Sequence, residues 1–188
     1  MNKIILASGS PRRRELLAQI GLDFEVVVSD AEEVMTGTLP GEVVKELSDC
    51  KAMAVALTLR EEQRDAIVIG ADTVVAKDGR ILGKPKDEEA AFEMIQMLQG
   101  QTHQVYTGVT LIGGEKKVSF YEKSDVLVYP MSEEEIRAYI RTGEPMDKAG
   151  AYGIQGYFAK YIREIRGEYT NIVGLPVGRL WHELCENF

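Results

Sequence analysis

Apolar residues recur along the chain with two different spacings, and these spacings predict the secondary structure. Short apolar runs bounded by turn residues are typical of buried strands, whereas apolar residues every three or four positions are typical of helices. The predicted strands span residues 4–6, 24–28, 65–76, 104–112, 117–128 and 158–165. The predicted helices span residues 11–20, 41–60, 87–98, 133–141 and 176–186. No internal repeat, low-complexity segment or Pro/Ser-rich linker interrupts this series, so we expect a single domain over residues 1–188.

The first predicted strand leads through small residues into the first helix, in the run Ala7-Ser8-Gly9-Ser10-Pro11-Arg12-Arg13. Ser10 is placed to cap this helix and Pro11 to occupy its first position. The free N–H groups and the positive dipole at a helix start favour an anion, and the two arginines add donors that suit phosphate. The alternative is an ordinary capped helix with two solvated arginines.

A carboxylate, Asp72, interrupts the most strand-like segment of the chain, residues 65–76. Burial of an unpaired carboxylate is unfavourable, so such a residue needs a partner or a function. Asp72 is therefore either a satisfied structural residue at a bend, or a general base or metal ligand that faces a cleft. Gly70 and Ala71 beside it would let a ligand approach the backbone.

Three other charged residues are candidates on weaker grounds. Lys84 lies between Gly83 and Pro85, which restrict the backbone around it. Lys51 lies near the middle of the helix predicted over residues 41–60, where a lysine is usually solvated. Glu33 belongs to an acidic run after the second strand, for which a solvated loop is the alternative.

Residues 144–156 form a glycine-rich run with few features of a helix or strand. A loop of this length in a compact domain is usually functional or disordered, and the aromatic and apolar residues in it argue against disorder. Tyr152 could stack on a ring or border one. Gln155 carries an amide donor and an acceptor that suit the edge of a nucleobase. The alternative is a structural crossover between two lobes.

Composition narrows the class of protein. The 188 residues are 45% apolar, which predicts a globular fold, and the net charge of −8 argues against general nucleic-acid binding, because such binding depends on Lys and Arg. The two cysteines show neither metal-ligand nor disulfide spacing, which fits a reducing cytoplasm. The two isolated histidines, His103 and His182, argue against a zinc site or a Ser-His-Asp triad. No apolar run is long enough to span a membrane, and the N-terminus predicts a first strand instead of a signal peptide.

Five short motifs occur along nearly the whole chain. They are Ala7-Ser8-Gly9-Ser10-Pro11-Arg12-Arg13, Gly70-Ala71-Asp72-Thr73-Val74-Val75, Gly83-Lys84-Pro85, Asp147-Lys148-Ala149-Gly150-Ala151-Tyr152-Gly153-Ile154-Gln155-Gly156 and Val173-Gly174-Leu175-Pro176. In this order they resemble the Maf family of nucleoside triphosphate pyrophosphatases. The resemblance implies an α/β fold with a mixed twisted sheet flanked by helices and two lobes around a central cleft, similar to the inosine triphosphate pyrophosphatases.

The resemblance also implies a reaction. Proteins of this family hydrolyse a nucleoside triphosphate to the monophosphate and pyrophosphate with a divalent cation, Mg²⁺ or Mn²⁺. Arg12, Thr73 and Gln155 match the specificity positions of the subfamily that acts on dTTP and UTP, whereas a subfamily that acts on 7-methyl-GTP differs there. Removal of non-standard nucleotides, a homodimer and a cytoplasmic location are further expectations from the resemblance.

Roles for individual residues follow position by position. The expected substrate-binding residues are Ser8, Arg12, Thr73 and Gln155, together with Arg13 from its place in the first helical turn. The expected catalytic residues are Asp72, Lys84, Lys51 and Glu33, with Asp72 as proton acceptor and Glu33 and Asp72 as metal ligands. An aspartate cannot readily be both a free base and a direct metal ligand, so both roles for Asp72 stay open.

Two other functions compete with this one. The family name is associated with inhibition of septum formation, so a non-catalytic nucleotide-binding regulator of cell division is an alternative. Carboxylates beside the cations favour the enzyme, because a pure binder gains nothing from a general base near phosphates. A pyrophosphatase for modified purine nucleotides is the second alternative, and Gln155 argues against it.

Overall fold

Residues 2–31 and 36–188 are described by the computed structural model, and their seven strands form one mixed sheet. The strands are β1 (Ile4–Leu6), β2 (Phe24–Val26), β3 (Ile67–Lys77), β4 (Arg80–Leu82), β5 (Thr102–Gly113), β6 (Lys116–Val128) and β7 (Ile162–Arg166). The order across the sheet is β2-β1-β3-β5-β6-β7, and β4 pairs with β3. Strand β1 is parallel to both β2 and β3, and the other pairs are antiparallel. The predicted mixed α/β fold is thereby confirmed.

Helices cover both faces of this sheet. They are α1 (Pro11–Gln19), α2 (Pro40–Ala56), α3 (Glu88–Leu98), α4 (Glu133–Ile140), α5 (Tyr169–Val173) and α6 (Val177–Asn187). A large apolar cluster joins one face of the sheet to all of these helices except α2, and a smaller cluster joins the other face to α2. Within the described ranges, no helix is both long and apolar enough to cross a membrane.

Local sequence signals set several of these elements. The hydroxyl of Ser132 accepts from the Glu135 N–H while the Glu135 carboxylate accepts from the Ser132 N–H, so the predicted capping box of α4 is formed. Asp78 and Gly79 form the tight turn between β3 and β4, with φ of 51° and 78°. Positive φ at both central residues is what a two-residue hairpin requires.

Helix and strand ends differ from the prediction in several places. The second helix ends at Ala56 instead of residue 60, and the second strand ends at Val26 instead of residue 28. The strand predicted over residues 158–165 was wrong in its first half. There the chain forms a short 3-10 segment, Tyr157–Tyr161, because Phe158 and Tyr161 are both buried in the core and a strand would point them differently.

Strand β3 is longer than its parallel neighbour β1, and this difference opens a gap in the sheet. Their pairing ends at Leu6 and Ile69, after which the Ala7 N–H still donates to the Ile69 carbonyl. On its other edge β3 stays paired with β5 as far as Ala76. Asp72 and Thr73 therefore lie just past the carboxyl end of β1, which is where ligands bind in open α/β sheets.

Helix α2 packs very closely on the sheet, and two glycines make this possible. A Cβ atom on Gly70 would lie 2.3 Å from the Ser48 carbonyl oxygen, and one on Gly108 would lie 2.1 Å from that of Val44. The buried hydroxyls of Ser48 and Thr110, 2.9 Å apart, join the same two layers. This close approach sets the distance between α2 and β3 at the site.

Substitution of Gly108 by alanine should destabilise the fold, because the new methyl group meets backbone atoms of α2. We expect the free energy of unfolding to fall by about 1 to 3 kcal/mol, the usual effect of overpacking. Urea denaturation of Gly108→Ala measures this. Gly83→Ala is the matched control, since a Cβ there has no atom within 4 Å. Equal stability of the two variants would contradict the packing argument.

Candidate active site

The turn after β1 is shaped by Ser8. Its hydroxyl, buried at 7% exposure, accepts hydrogen bonds from the Ser10 N–H at 3.3 Å and from the Arg13 Nη1 at 3.0 Å. Ser10 is the N-cap residue of α1, as predicted, but its side chain makes no capping hydrogen bond. The first turn of α1 contains no acidic residue, so no side chain there competes for an anion at the helix start.

Arg13 points into the protein and connects three of the sequence motifs. Its Nε donates to the Gly174 carbonyl at 2.8 Å, and its Nη2 donates to the Thr73 hydroxyl at 3.1 Å. With the bond to Ser8, the guanidinium joins the β1 turn, strand β3 and the turn after α5. The described contacts of Arg13 are made to protein atoms. A contact between Arg13 and phosphate therefore stays a prediction.

Arg12 differs from its neighbour, because it is only partly buried. Its charge reaches the glycine-rich segment, where the pKa of Asp147 is lowered mainly by Lys148 and to a smaller extent by Arg12. The start of α1 and the residues after Gly143 therefore lie within electrostatic reach of each other. Of the two arginines, Arg12 is the more exposed, and its contact with a ligand stays a prediction.

Asp72 and Lys51 form an ion pair between β3 and α2. The Lys51 Nζ lies 2.5 Å from the Asp72 Oδ1, and the two side chains are 16% and 14% exposed. Asp72 points to the α2 face of the sheet because side chains alternate along β3, and the close packing of α2 brings Lys51 within reach. The interpretation of Asp72 as a carboxylate with a partner is consistent with this geometry, and Lys51 is not simply a solvated lysine.

Thr73 points to the opposite face and ends a chain of buried hydroxyl groups. Its Oγ1 lies 2.9 Å from that of Thr107, whose hydroxyl donates to the Asn171 carbonyl at 2.9 Å. The Asn171 amide in turn donates to the Val105 carbonyl at 3.1 Å and to the Ser124 hydroxyl at 2.8 Å. Sequence reasoning missed Asn171, which lacks a local signal because its partners lie more than 40 residues away in the chain.

The glycine-rich segment lies against the end of β3 and against the Lys84 turn. The Gly150 N–H donates to the Gly83 carbonyl at 3.0 Å, and Gly150 has a φ of 68°. A Cβ on Gly150 would come within 2.8 Å of Val75, so only glycine fits there. Lys84 itself is exposed beside buried Pro85. Gln155 is also exposed, in a turn closed by the Gly156 N–H and the Gly153 carbonyl at 3.3 Å.

Tyr152 anchors this segment to the core, which corrects its interpretation as a ring-stacking residue. It is 6% exposed, and its hydroxyl lies 2.7 Å from the Nε2 of His103, which has no exposed surface. Burial lowers the pKa of His103 to about 4, with a further contribution from Lys77 and an opposing one from Asp125. His103 is therefore neutral near pH 7, and its role is to hold the loop.

Strand β3 connects the predicted site residues that the structure brings into contact. Asp72 meets Lys51, Thr73 meets Arg13 and through it Ser8, and Val75 meets the glycine-rich segment. Glu33 lies outside the described residues. An open cavity of about 570 Å³ lies elsewhere, lined by residues 2–4, residues 20–25 and Trp181 at the amino ends of β1 and β2. It contains none of the predicted site residues.

A metal ion at this site would need ligands other than the residues that the structure describes. Within residues 2–31 and 36–188, no group of three or more His, Cys, Asp and Glu side chains could hold a metal ion. Asp72 is a partly exposed carboxylate next to the anion-favouring turn. Mg²⁺ is usually bound by one or two carboxylates together with substrate phosphates and water, so Asp72 fits as a single ligand and the others would come from substrate, water or residues outside the described ranges.

Arg13→Lys should destabilise the protein, whereas Arg12→Lys should not. Lysine cannot reach three acceptors in the planar arrangement of a guanidinium, so a buried acceptor loses its partner. We expect the free energy of unfolding to fall by about 2 to 4 kcal/mol for Arg13→Lys and by less than about 0.5 kcal/mol for Arg12→Lys. Urea denaturation of both variants checks this, and equal losses would contradict the inward role of Arg13.

The stability of the protein should depend on His103 in acid. The unfolded chain protonates this histidine below its ordinary pKa of 6.5, whereas the folded chain resists protonation down to about 4. Folded-state stability therefore decreases as the pH falls through this window, by about 3 kcal/mol from this residue. His103→Gln removes the titration, so its stability difference from wild type should change by that amount between pH 7 and pH 4. A difference that does not vary with pH would contradict the assignment.

Comparison with known proteins finds a family and relatives that match nearly the whole chain. The family model described as "Maf-like protein" matches residues 3–187. A dTTP/UTP pyrophosphatase of Agathobacter rectalis is 54% identical, covering 98% of this chain and 97% of the relative. A dTTP/UTP pyrophosphatase of Bacillus cytotoxicus is 53% identical, covering 98% and 95%.

Two solved structures were also matched. The Ham1 protein of Staphylococcus aureus has a TM-score of 0.47 and 20% identity, covering 68% of this chain and 72% of that protein. A nucleoside-triphosphatase / dITP/XTP pyrophosphatase of Mycobacterium abscessus has a TM-score of 0.45 and 16% identity, covering 96% and 94%.

Proposed function

Since this chain belongs to the Maf family, we propose that it hydrolyses dTTP and UTP to the nucleoside monophosphate and pyrophosphate. The family membership confirms the resemblance inferred from the sequence motifs. Support for the substrates comes from the matched relatives, which are named dTTP/UTP pyrophosphatases and share about half of their residues with this chain. The structural observation that carries the proposal is the Asp72–Lys51 pair beside the turn that follows β1.

The reaction needs a water molecule aligned with the α-phosphorus and a group that accepts its proton. Lys51 engages the Oδ1 of Asp72 and orients the carboxylate. The Oδ2 then takes the proton as the water oxygen bonds to phosphorus and the bond to the bridging oxygen breaks. Proton acceptance at a positioned carboxylate is a common means of activating water.

Negative charge moves to the leaving pyrophosphate, and cations from separate segments would stabilise it. Arg12 lies at the start of α1, Lys84 lies in the turn after β4, and Lys51 lies on α2. The N–H groups at the start of α1 add partial positive charge at the same edge of the sheet. Lys51 is held by its ion pair with Asp72 before substrate binds, so it needs little rearrangement in the transition state.

Asp72 and Glu33 would hold a divalent cation, Mg²⁺ or Mn²⁺, together with phosphate oxygens and water. When bound, such a cation lowers the pKa of water and neutralises phosphate charge. Since the cation and the proton compete for Asp72, we assign proton acceptance to Asp72 and expect Glu33 to supply the more direct metal contact.

Selection of the base is assigned to Gln155, with Arg12 and Thr73 at the other specificity positions. Thymine and uracil share one N–H donor flanked by two carbonyl acceptors. The Gln155 amide offers one donor and one acceptor group and can bond to two of these three positions. A base with another arrangement would leave a polar group unpaired, which is an effective basis for rejection.

The expected cellular location of the protein follows from its proposed substrates. An enzyme that acts on free nucleotides would work in the cytoplasm, a reducing compartment that suits a chain whose two cysteines, Cys50 and Cys185, show no disulfide spacing. A homodimer remains an expectation of the family. A role in removing non-standard nucleotides would depend on the relative rates for modified bases.

Pyrophosphate release from a panel of nucleotides tests the proposal. The panel contains dTTP, UTP, CTP, 7-methyl-GTP and ITP, each with Mg²⁺, with Mn²⁺ and with a chelator. We expect metal-dependent release from dTTP and UTP. Release only from a purine nucleotide would retain the enzyme and reject the pyrimidine assignment. Binding without release would favour the regulator of cell division over the enzyme.

Asp72→Asn should abolish most of the turnover and leave the fold intact. The amide keeps the shape of the side chain and cannot accept the proton, so we expect kcat to fall by at least about 100-fold. Steady-state kinetics with dTTP measures this, and circular dichroism verifies folding. Asp78→Asn, in the exposed β3–β4 turn, is the matched control and should retain full turnover. Near-normal turnover of folded Asp72→Asn would exclude the base role.

A further inference from the structure

Gln155 projects from a turn whose backbone is held on one side by the Glu144 carboxylate and on the other by the Tyr139 hydroxyl, which bonds to that carboxylate. The Glu144 Oε2 accepts from the Tyr157 N–H at 2.8 Å, on the far side of the turn. Its Oε1 accepts from the Tyr139 hydroxyl at 2.8 Å. That hydroxyl in turn accepts from the Gly153 N–H at 3.3 Å, on the near side. The N–H groups that bracket residues 154–156 therefore converge on Glu144 and Tyr139.

The turn leaves no space between itself and this carboxylate. A Cβ on Gly156 would lie 2.1 Å from the Glu144 Oε2. A Cβ on Gly153 would lie 2.7 Å from the Lys148 Cε, and the Nζ of Lys148 donates to the Glu144 carbonyl at 3.0 Å. The backbone of the Gln155 turn thus rests directly on Glu144 and on the stem of Lys148.

Tyr139 is suited to link the Glu144 carboxylate to the turn. Burial, and next the hydrogen bond to Glu144, raise the pKa of Tyr139 well above its ordinary value, so the phenol stays protonated and donates a hydrogen bond to the carboxylate. The ring of Tyr139 also packs on Phe158, with a centroid distance of 5.1 Å. The hydroxyl is therefore fixed by the core, and it fixes the Gly153 N–H in turn.

We propose that Glu144 is a positioning residue that fixes the Gln155 turn and thereby sets base selectivity. This inference rests on the proposed function of Gln155. Glu144 acts only through the backbone of the turn. The Asp72–Lys51 pair lies on other secondary-structure elements than the turn, and its geometry does not depend on Glu144. The loss of Glu144 should consequently weaken recognition of the base much more than the chemical step.

The test compares kcat/KM for dTTP and CTP in Glu144→Ala, Glu144→Gln, Gln155→Ala and the Glu144→Ala/Gln155→Ala double variant. Loss of the two turn contacts should reduce the preference for dTTP about tenfold in Glu144→Ala, through a higher KM and with kcat within about threefold of wild type. Glu144→Gln should recover much of the preference, because its carbonyl oxygen still accepts from the Tyr157 N–H. Glu186→Ala, an exposed carboxylate on α6, is the control that should leave the preference unchanged.

The double variant distinguishes a positioning role from a general structural one. If Glu144 acts through Gln155, removal of both side chains should lower the preference no further than Gln155→Ala alone. A preference that is lost in Gln155→Ala but retained in folded Glu144→Ala would overturn the inference and leave the role of Gln155 standing. A preference unchanged in Gln155→Ala would reject both.

If Glu144→Ala does not fold, Tyr139→Phe decides the question. Tyr139→Phe keeps the packing on Phe158 and removes the hydroxyl that holds the Gly153 N–H. Reduced preference together with faster amide hydrogen exchange at Gly153 supports the proposal. Wild-type preference together with unchanged exchange at Gly153 in folded Tyr139→Phe overturns it, since Glu144→Gln is expected to keep much of the preference.

Discussion

The guanidinium of Arg13 is a buried charge, and the arrangement of the site follows from the way its hydrogen bonds are satisfied. A buried cation is stable only where acceptors surround it. Its acceptors include Ser8, Thr73 and the Gly174 carbonyl, which belong to three segments and lie up to 161 residues from Arg13 in the chain. Each segment is thereby held at a fixed distance from the start of α1. Displacement of any one of them would leave part of the charge without a partner.

The sheet provides the space in which these segments meet. Because β1 ends at Leu6 and β3 continues to Lys77, the carboxyl half of β3 has an edge that β1 does not cover. Side-chain alternation then sends Asp72 towards α2 and Thr73 towards α1. The close contact of α2 at Gly70 and Gly108 brings Lys51 to Asp72. Asp72 and Thr73 are thus adjacent residues with separate environments, the first paired with Lys51 and the second bonded to Arg13.

The glycine-rich segment is fixed by a different set of interactions. Tyr152 is held by His103, Gly150 lies on Val75, and the Gln155 turn rests on Glu144. These contacts are independent of the Arg13 hydrogen bonds. Under the proposed function, the half assigned to phosphate and catalysis and the half assigned to the base are therefore stabilised separately. Substitutions in the half assigned to the base can therefore change base selectivity without disturbing the half assigned to phosphate and catalysis.

Local pattern alone predicted most of the secondary structure. The capping box at Ser132, the Asp78-Gly79 turn and the long strand around Asp72 are properties of residues close in sequence, and each was formed as predicted. Prediction was less accurate at the ends of elements and over residues 158–165, where burial of Phe158 and Tyr161 overrode the strand pattern. The five motifs were sufficient to identify the family.

Tertiary structure alone decided how those residues are used. The sequence alone does not distinguish Arg12 from Arg13, but the rotation of about 100° between successive helical residues leaves Arg12 partly exposed and turns Arg13 to the core. The sequence alone also does not indicate the roles of His103 and Asn171, because their partners are distant in the chain. The sequence by itself determined the elements, the family and the chemical groups, since periodicity and motif are local. Only the fold decided which of these groups are in contact, because contacts between distant residues depend on strand order and on close packing.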